Sequence, residues 1–160
     1  MSEKFPRSPY DTIGGLVYFP RMLDKIRLFA AGQLPEAYHP SLGDGFDGRC
    51  VRFLHVQYED VRQQALSGRS DEEVLTWCYE HGRKPADEEI EIWSDFMRKR
   101  GWRDDSSDRV AFRLKEAGLE HRDKEAVTMF DFIDLDEGRI PPDFSKWQPP
   151  RFRPESRTGG

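Results

Sequence analysis

A chain of 160 residues and 18.7 kDa is long enough for one ordinary domain with its own core, so folding requires neither disulfides nor a metal. Charged residues make up 34% of it and hydrophobic ones 36%, an unusually charged balance, and a net charge of −5 with a pI near 5.4 argues against a general nucleic-acid binder. No apolar run approaches the roughly 18–20 residues of a membrane helix, Met1 to Arg7 holds no apolar segment of the secretory kind, and two cysteines make no disulfide framework; the expected setting is the reducing cytoplasm.

Helical periodicity runs from residue 18 to 138. A first helix is predicted from Pro20 to Ala31, with Pro20 at its opening and Gly32 as its stop. Phe19, Met22, Leu23, Ile26, Phe29 and Ala30 share one stripe, and Leu28 faces away. The stretch from Pro35 to Gly48 is rich in turn residues. Helices follow over 46–55, with Phe46, Cys50, Phe53 and Leu54 inward, and over 58–66, with Val61 and Ala65. Ser70-Asp71-Glu72-Glu73 spells a capping box, opening a helix that carries Val74, Leu75, Trp77 and Cys78 and stops at Gly82. A helix over 86–100 has its acids early and its bases late, as the helix dipole favours. Ser107 is expected to cap the next, carrying Val110, Leu114 and Ala117; the last is expected over 122–135, with Ala126, Met129, Phe130 and Ile133 on one face. The apolar cluster Gly15 to Phe19 is too short to decide between strand and helix. The fold class is therefore all-α: a compact bundle of six to seven short helices over residues 1–140, and an extended Pro-rich tail over 141–160, partly docked through Phe144, Trp147 and Phe152 and disordered at its end.

Chemistry-bearing patterns are sparse. Cys50, His55, Cys78 and His81 form a loose zinc-type set, but their spacing is wide and cysteines on apolar stripes are usually core, so no metal is assigned. A calcium loop begun at Asp134 has its glycine one place early and lacks the final ligand. In Gly43-Asp44-Gly45-Phe46-Asp47-Gly48, the two aspartates would repel an anion, so Asp44 or Asp47 is read as an N-cap. His39 has no catalytic partner in sequence, and no nucleophile elbow, phosphate loop or dinucleotide fingerprint occurs. The basic runs 98–103 and Arg151, Arg153 and Arg157 carry aromatics suited to nucleic acid, but the acids after the first run cancel much of it.

Two charged stretches stand out. Arg21, Asp24, Lys25 and Arg27 crowd the first helix, where Arg21–Asp24 and Asp24–Arg27 can pair locally as an exposed face. Asp131, Asp134, Asp136 and Glu137, followed by Arg139, crowd what reads as the unfavourable C-terminal end of the last helix. The sharper reading joins the two stretches in one inter-helix network, either structural or holding an anion.

These residues carry a resemblance. Ser8-Pro9, Gly14-Gly15, Pro20-Arg21-x-x-Asp24-Lys25-x-Arg27 and Gly32 begin an ordered string of motifs. Gly68-x-x-Asp71-Glu72-Glu73-Val74-Leu75-x-Trp77, Glu91-Ile92-Trp93, Phe96 and Lys99-x-Gly101-Trp102-x-Asp104 continue it. Phe130-Asp131-x-Ile133-Asp134-x-Asp136-Glu137-Gly138-Arg139 completes it. Over residues 8–139 the chain resembles the bacterial domain-of-unknown-function family DUF5069, with Ser94 where the family pattern leads to asparagine. The resemblance implies a small, soluble, mostly helical bacterial protein and transfers no activity.

The leading expectation is a cytoplasmic binding module without catalysis or cofactor, whose partner is an unidentified protein or small molecule. The rival is an enzyme, or a metal- or anion-dependent binder. Its site would lie between the first helix and residues 131–139, with Arg21, Lys25 or Arg27 on an anion and Asp24, Asp134 or Asp136 as base or metal ligand. Leu28, Phe112 and Phe132 lie off the main stripes of their helices and leave a homodimer open.

Overall fold

A computed structural model describes residues 2–143. The expectations placed on Phe144, Trp147, Phe152, Arg151, Arg153, Arg157 and the rest of the tail beyond Asp143 fall outside these residues. Within them the chain is mostly helical: α1 (Phe19–Ala30), α2 (Phe46–Leu54), α3 (Tyr58–Ala65), α4 (Asp71–His81), α5 (Asp87–Lys99), α6 (Ser107–Glu116) and α7 (Met129–Asp136), with 3-10 turns over Glu36–Ser41 and Glu120–Arg122. None of these helices is long and apolar enough to cross a membrane.

A small hairpin departs from the purely helical reading. β1 (Thr12–Ile13) and β2 (Leu16–Val17) pair antiparallel, Thr12 opposite Val17 and Ile13 opposite Leu16. Gly14 and Gly15 connect them with φ of 57° and 82°, the double positive φ that a type I′ turn needs. Two residues per strand give no alternation to read, yet Leu16 and Val17 are fully buried against α5. Ser94 of α5 holds the hairpin there: its hydroxyl donates to the Gly15 carbonyl (2.9 Å) and accepts from the Val17 amide (3.4 Å).

The main core gathers Phe19, Met22, Leu23 and Ile26 of α1, Cys50 and Leu54 of α2, Val61 of α3, Val74 and Cys78 of α4, Met97 of α5 and Phe130 of α7. Full burial of each large side chain contributes about 1.5–3 kcal/mol. Phe29 and Ala30, expected in the same stripe, are exposed. The last turn of α1 faces the 3-10 segment rather than the core, and Phe29 meets His39 edge-on at 4.8 Å. A second, smaller cluster joins Val110 and Leu114 of α6 to Ala126 and Leu135, flanked by Leu119, Met129 and Phe132.

Three helix starts differ from expectation. The N-cap of α6 is Ser106, and Ser107 is the first helical residue. The turn before it is held by Asp104, whose carboxylate accepts from the Gly101 and Ser106 amides (2.9 and 2.8 Å). Helix α7 is seven residues shorter than the apolar period suggested at its N-terminal side, beginning after Thr128. Thr128 Oγ1 accepts from the Asp131 amide while the Asp131 carboxylate accepts from the Thr128 amide (3.1 and 3.3 Å). Asp131 therefore sits in the first turn, where the dipole favours an acid. Before α2 the N-cap is Gly45, with no side-chain bond, and Asp47 is the second helical residue. Neither aspartate is a cap, because Asp47 is committed to a buried ion pair.

Candidate functional site

The charges of α1 are not a solvated face. Arg21 and Lys25 are only 4% and 3% exposed. Neither Arg21–Asp24 nor Asp24–Arg27 forms; each side chain instead reaches a different part of the chain. Asp24 takes Arg7, which donates to it from Nε, Nη2 and its backbone amide at 2.8–2.9 Å. Arg27 pairs with Asp71 at the start of α4, and Arg7 donates to the same carboxylate at 2.6 Å. Lys25 pairs with Asp47 (3.0 Å), which also accepts from the Tyr18 hydroxyl (2.7 Å) and the Gly43 amide (3.0 Å). Burial pulls the Lys25 ammonium below its usual value, and Asp47 offsets part of that.

Arg21 alone of the four meets the acidic stretch. It forks onto Glu137 with both terminal nitrogens (2.9 and 2.6 Å), and Tyr38 and Arg139 also donate to that carboxylate (both 2.6 Å). The Glu137 side chain is 1% exposed. Burial by itself would raise its carboxyl, but Arg21, Tyr38 and Arg139 outweigh that and hold it below the usual range. Arg139 also pairs with Asp134 (3.3 Å) and donates to the Pro6 carbonyl. Asp131 is spent on its cap and on the Tyr10 hydroxyl (2.6 Å). Asp136 forms no ion pair or hydrogen bond among the described residues, and burial together with Glu137 and Glu116 raises its carboxyl.

Seven of the nine predicted site residues, all but Asp131 and Asp136, thus join Arg7, Asp47 and Asp71 in a matched set. Five cations (Arg7, Arg21, Lys25, Arg27, Arg139) face five carboxylates (Asp24, Asp47, Asp71, Asp134, Glu137). No buried side-chain polar atom among the described residues lacks a partner. Such closure leaves this set little capacity to take a ligand.

The unmatched charge lies next to it. A cleft of about 660 Å³ runs between α1, the 3-10 segment and the start of α2 on one side and α6 and α7 on the other. It follows the seam between the two apolar clusters, a usual position and size for a ligand pocket. Arg21, Lys25, Asp136 and Glu137 form part of its wall, so it lies where the two charged stretches approach. Its other cations are Arg49, Arg100, Arg109 and Arg113. Arg100 is paired with Asp105 (2.7 Å) and Arg113 with Glu116 (3.0 Å). Arg49 and Arg109 have no carboxylate partner among the described residues. Arg49 is held by stacking on Phe96 (5.3 Å), which Arg100 also approaches (5.7 Å). Tyr18 lines the same cleft at φ 72°, a left-handed conformation costly for a bulky residue. The Asp47 bond to its hydroxyl and the seating of its ring over Phe130 (5.9 Å) hold it there.

A family model described as a domain of unknown function, DUF5069, matches residues 3–139. The chain belongs to the DUF5069 family. No curated protein matches it. The match spans the hairpin, all seven helices and the charged set around α1, so the cleft of this DUF5069 chain lies wholly within the family region.

Other candidates for a site are weaker. A cleft of about 750 Å³ beside Tyr10, Trp102 and Val127 is bounded by Ile140 to Asp143, where the described residues end, and its Tyr10 and Asp131 satisfy each other. No group of three or more His, Cys, Asp or Glu side chains among the described residues is placed to hold a metal. Cys50 and Cys78 are buried thiols raised by desolvation, and His81 stacks on Trp77 (4.4 Å). Sequence reading missed Arg49 and Arg109. The available signal, for Arg109 alone, was the spacing Arg109, Arg113, Glu116, which puts three charges on one face of α6 flanking the Val110–Leu114 stripe.

Proposed function

We propose that this DUF5069 chain is a binding domain without chemistry of its own, which holds a small organic anion in the cleft between α1–α2 and α6–α7 in a cytoplasmic setting. The observation that carries the reading is the contrast in pairing. The cations around α1 are matched by an equal number of carboxylates, whereas Arg49 and Arg109 border the cleft without an ion pair among the described residues. Arginine suits planar recognition of carboxylate or phosphate through its fork of donors. Low-dielectric walls focus that local field, so a chain of net charge −5 can still gather an anion there. Tyr18, Phe46 and Phe132 on the walls favour an anion with an apolar or planar body. The free thiols Cys50 and Cys78 agree with a reducing compartment.

The test is a thermal-shift and calorimetric screen of phosphate, sugar phosphates, nucleotides and dicarboxylates on the full chain and on Arg49→Ala/Arg109→Ala, with Arg62→Ala as control. At a concentration near 100 Kd an anion stabilises by about 2.7 kcal/mol, a rise of roughly 5–10 °C for a chain of this size. The double variant is expected to lose the rise and Arg62→Ala to keep it. Phe96→Ala, which frees Arg49, is expected to weaken binding about three- to tenfold. A hit that survives the double variant, or a screen without hits, overturns the reading. The enzyme rival retains Asp136 as its base, since Asp24 and Asp134 are tied to Arg7 and Arg139; it predicts that the hit is consumed, whereas the binding reading predicts its recovery unchanged.

A further inference from the structure

The two unpartnered arginines are not the only unmatched charges in this cleft. Asp136, at the last turn of α7, also lines it, and no cation reaches that carboxylate among the described residues. The nearby cations are already committed: Arg113 to Glu116, and Arg21 and Arg139 to Glu137. Asp44 also lines the cleft without an ion pair among the described residues, but Asp136, Glu116 and Glu137 gather at one end of it. Arg109, Arg113 and Glu116 follow at i, i+4 and i+7 on one face of α6, so the free arginine and the acidic end are separated by about 10 Å of helix axis at 1.5 Å per residue.

We propose that the occupant of this cleft is an anion that carries a protonated amine at its far end, the anionic group resting on Arg49 and Arg109 and the ammonium on Asp136 beside Glu116. This rests on the anion-binding reading and adds the chemical class of the ligand. An ammonium placed there would neutralise a carboxylate that no cation among the described residues reaches. Burial raises the Asp136 carboxyl, and Glu137 and Glu116 add to this by repelling its charge, as fits an acidic locus short of a cation. Asp136 is exposed enough to be changed without opening the core.

Matched probes separate the possibilities. Butyl phosphate and 4-aminobutyl phosphate have the same backbone, and the aminated probe carries less net negative charge. On a wall of arginines alone the aminated probe binds the more weakly. With Asp136 engaged it is expected to bind at least fivefold more tightly to the wild-type chain. Asp136→Asn is expected to reverse that order while leaving butyl phosphate affinity within about twofold, and Asp136→Glu to restore the preference. Arg49→Ala/Arg109→Ala is expected to lose both probes. If butyl phosphate binds as well as the aminated probe and Asp136→Asn changes neither, the inference fails and the anion reading stands. If neither probe binds the wild-type chain, both fail. Circular dichroism and melting of Asp136→Asn check that the fold is intact.

Discussion

Glu137 accepts from Arg21, Tyr38 and Arg139 while only 1% of its side chain is exposed. A carboxylate so placed is tolerable only because its lone pairs are filled by donors, two of them charged. Removing one partner leaves the rest of the set charged and dry. Arg21→Met is therefore expected to lower unfolding free energy by about 3–5 kcal/mol, measured by urea titration. Arg62→Ala, which removes only the exposed pair with Glu59, is expected to change it by about 0.5 kcal/mol or less. Equal losses in the two variants would mean that the Arg21–Glu137 pair is no more consequential than a surface one. The residue types here were legible: both charged stretches drew attention by their density. Their partners were not, because Arg7 and Asp47 reach α1 from elements distant in sequence that folding alone brings near.

At the scale of elements, helix boundaries were legible where a local motif specified them. Ser70 to Glu73 forms the capping box its spelling predicts, with bonds of 3.2 and 3.1 Å. Thr128 to Asp131 forms an equivalent box that the apolar period of the preceding residues concealed. Gly82 shows a different limit. Its reading as a simple helix stop holds, but the reason lies in another element. A side chain there would meet the Leu54 carbonyl at 1.9 Å and the His55 carbonyl at 2.9 Å, and the next amide, Arg83, donates to Leu54 at 3.0 Å. Since backbone cannot yield as a flexible side chain does, Gly82→Ala is expected to cost about 1–3 kcal/mol. Gly118→Ala serves as the comparison: nothing lies within 4 Å of its added atom, but its φ is 72°, so its cost is torsional. Denaturation midpoints of both variants, combined with hydrogen exchange at Arg83, test this. Fast exchange at Arg83 in Gly82→Ala alone is the expected result, and unchanged protection would contradict it.

Across the whole molecule, the paired charges should shape the response to acid. Burial raises the carboxyls of Asp71 and Glu137, but Arg27 and Arg7 for the first, and Arg21, Tyr38 and Arg139 for the second, bring both below their usual values. A carboxyl lowered in the folded state contributes stability above its unfolded pKa of about 4 and loses it as pH falls through the folded value. Asp134 and Asp136 are raised, chiefly by burial, so they act in the opposite sense and favour the fold as they take up protons above pH 4. The melting temperature is therefore expected to stay nearly level from pH 7 to about 4.5 and to fall steeply below 4. Glu137→Gln is expected to melt lower at pH 7 and to converge on the wild-type curve in strong acid. A wild-type curve that has already collapsed by pH 5, or a variant that stays equally far below it at every pH, would show that these pairs do not govern the acid limb.

The helical class, the position of most helices, the family resemblance and the charged residues to watch were all legible in the amino-acid order. All of these depend on near neighbours: the 3.6-residue period, the capping motifs and the order of short motifs along one chain. What the charges do emerged from the packing of the chain in space. That packing buried Arg21 and Lys25, matched them to Glu137 and Asp47, and left Arg49, Arg109 and Asp136 without an ion pair among the described residues around one cleft. Whether a charge is satisfied depends on groups within a few ångströms of it in space, and those groups come from α1, α2, α6 and α7, whose approach no local spacing encodes. The acidic composition noted at the outset is an average that hides this: most charges around α1 cancel in pairs, and the remainder define the proposed site.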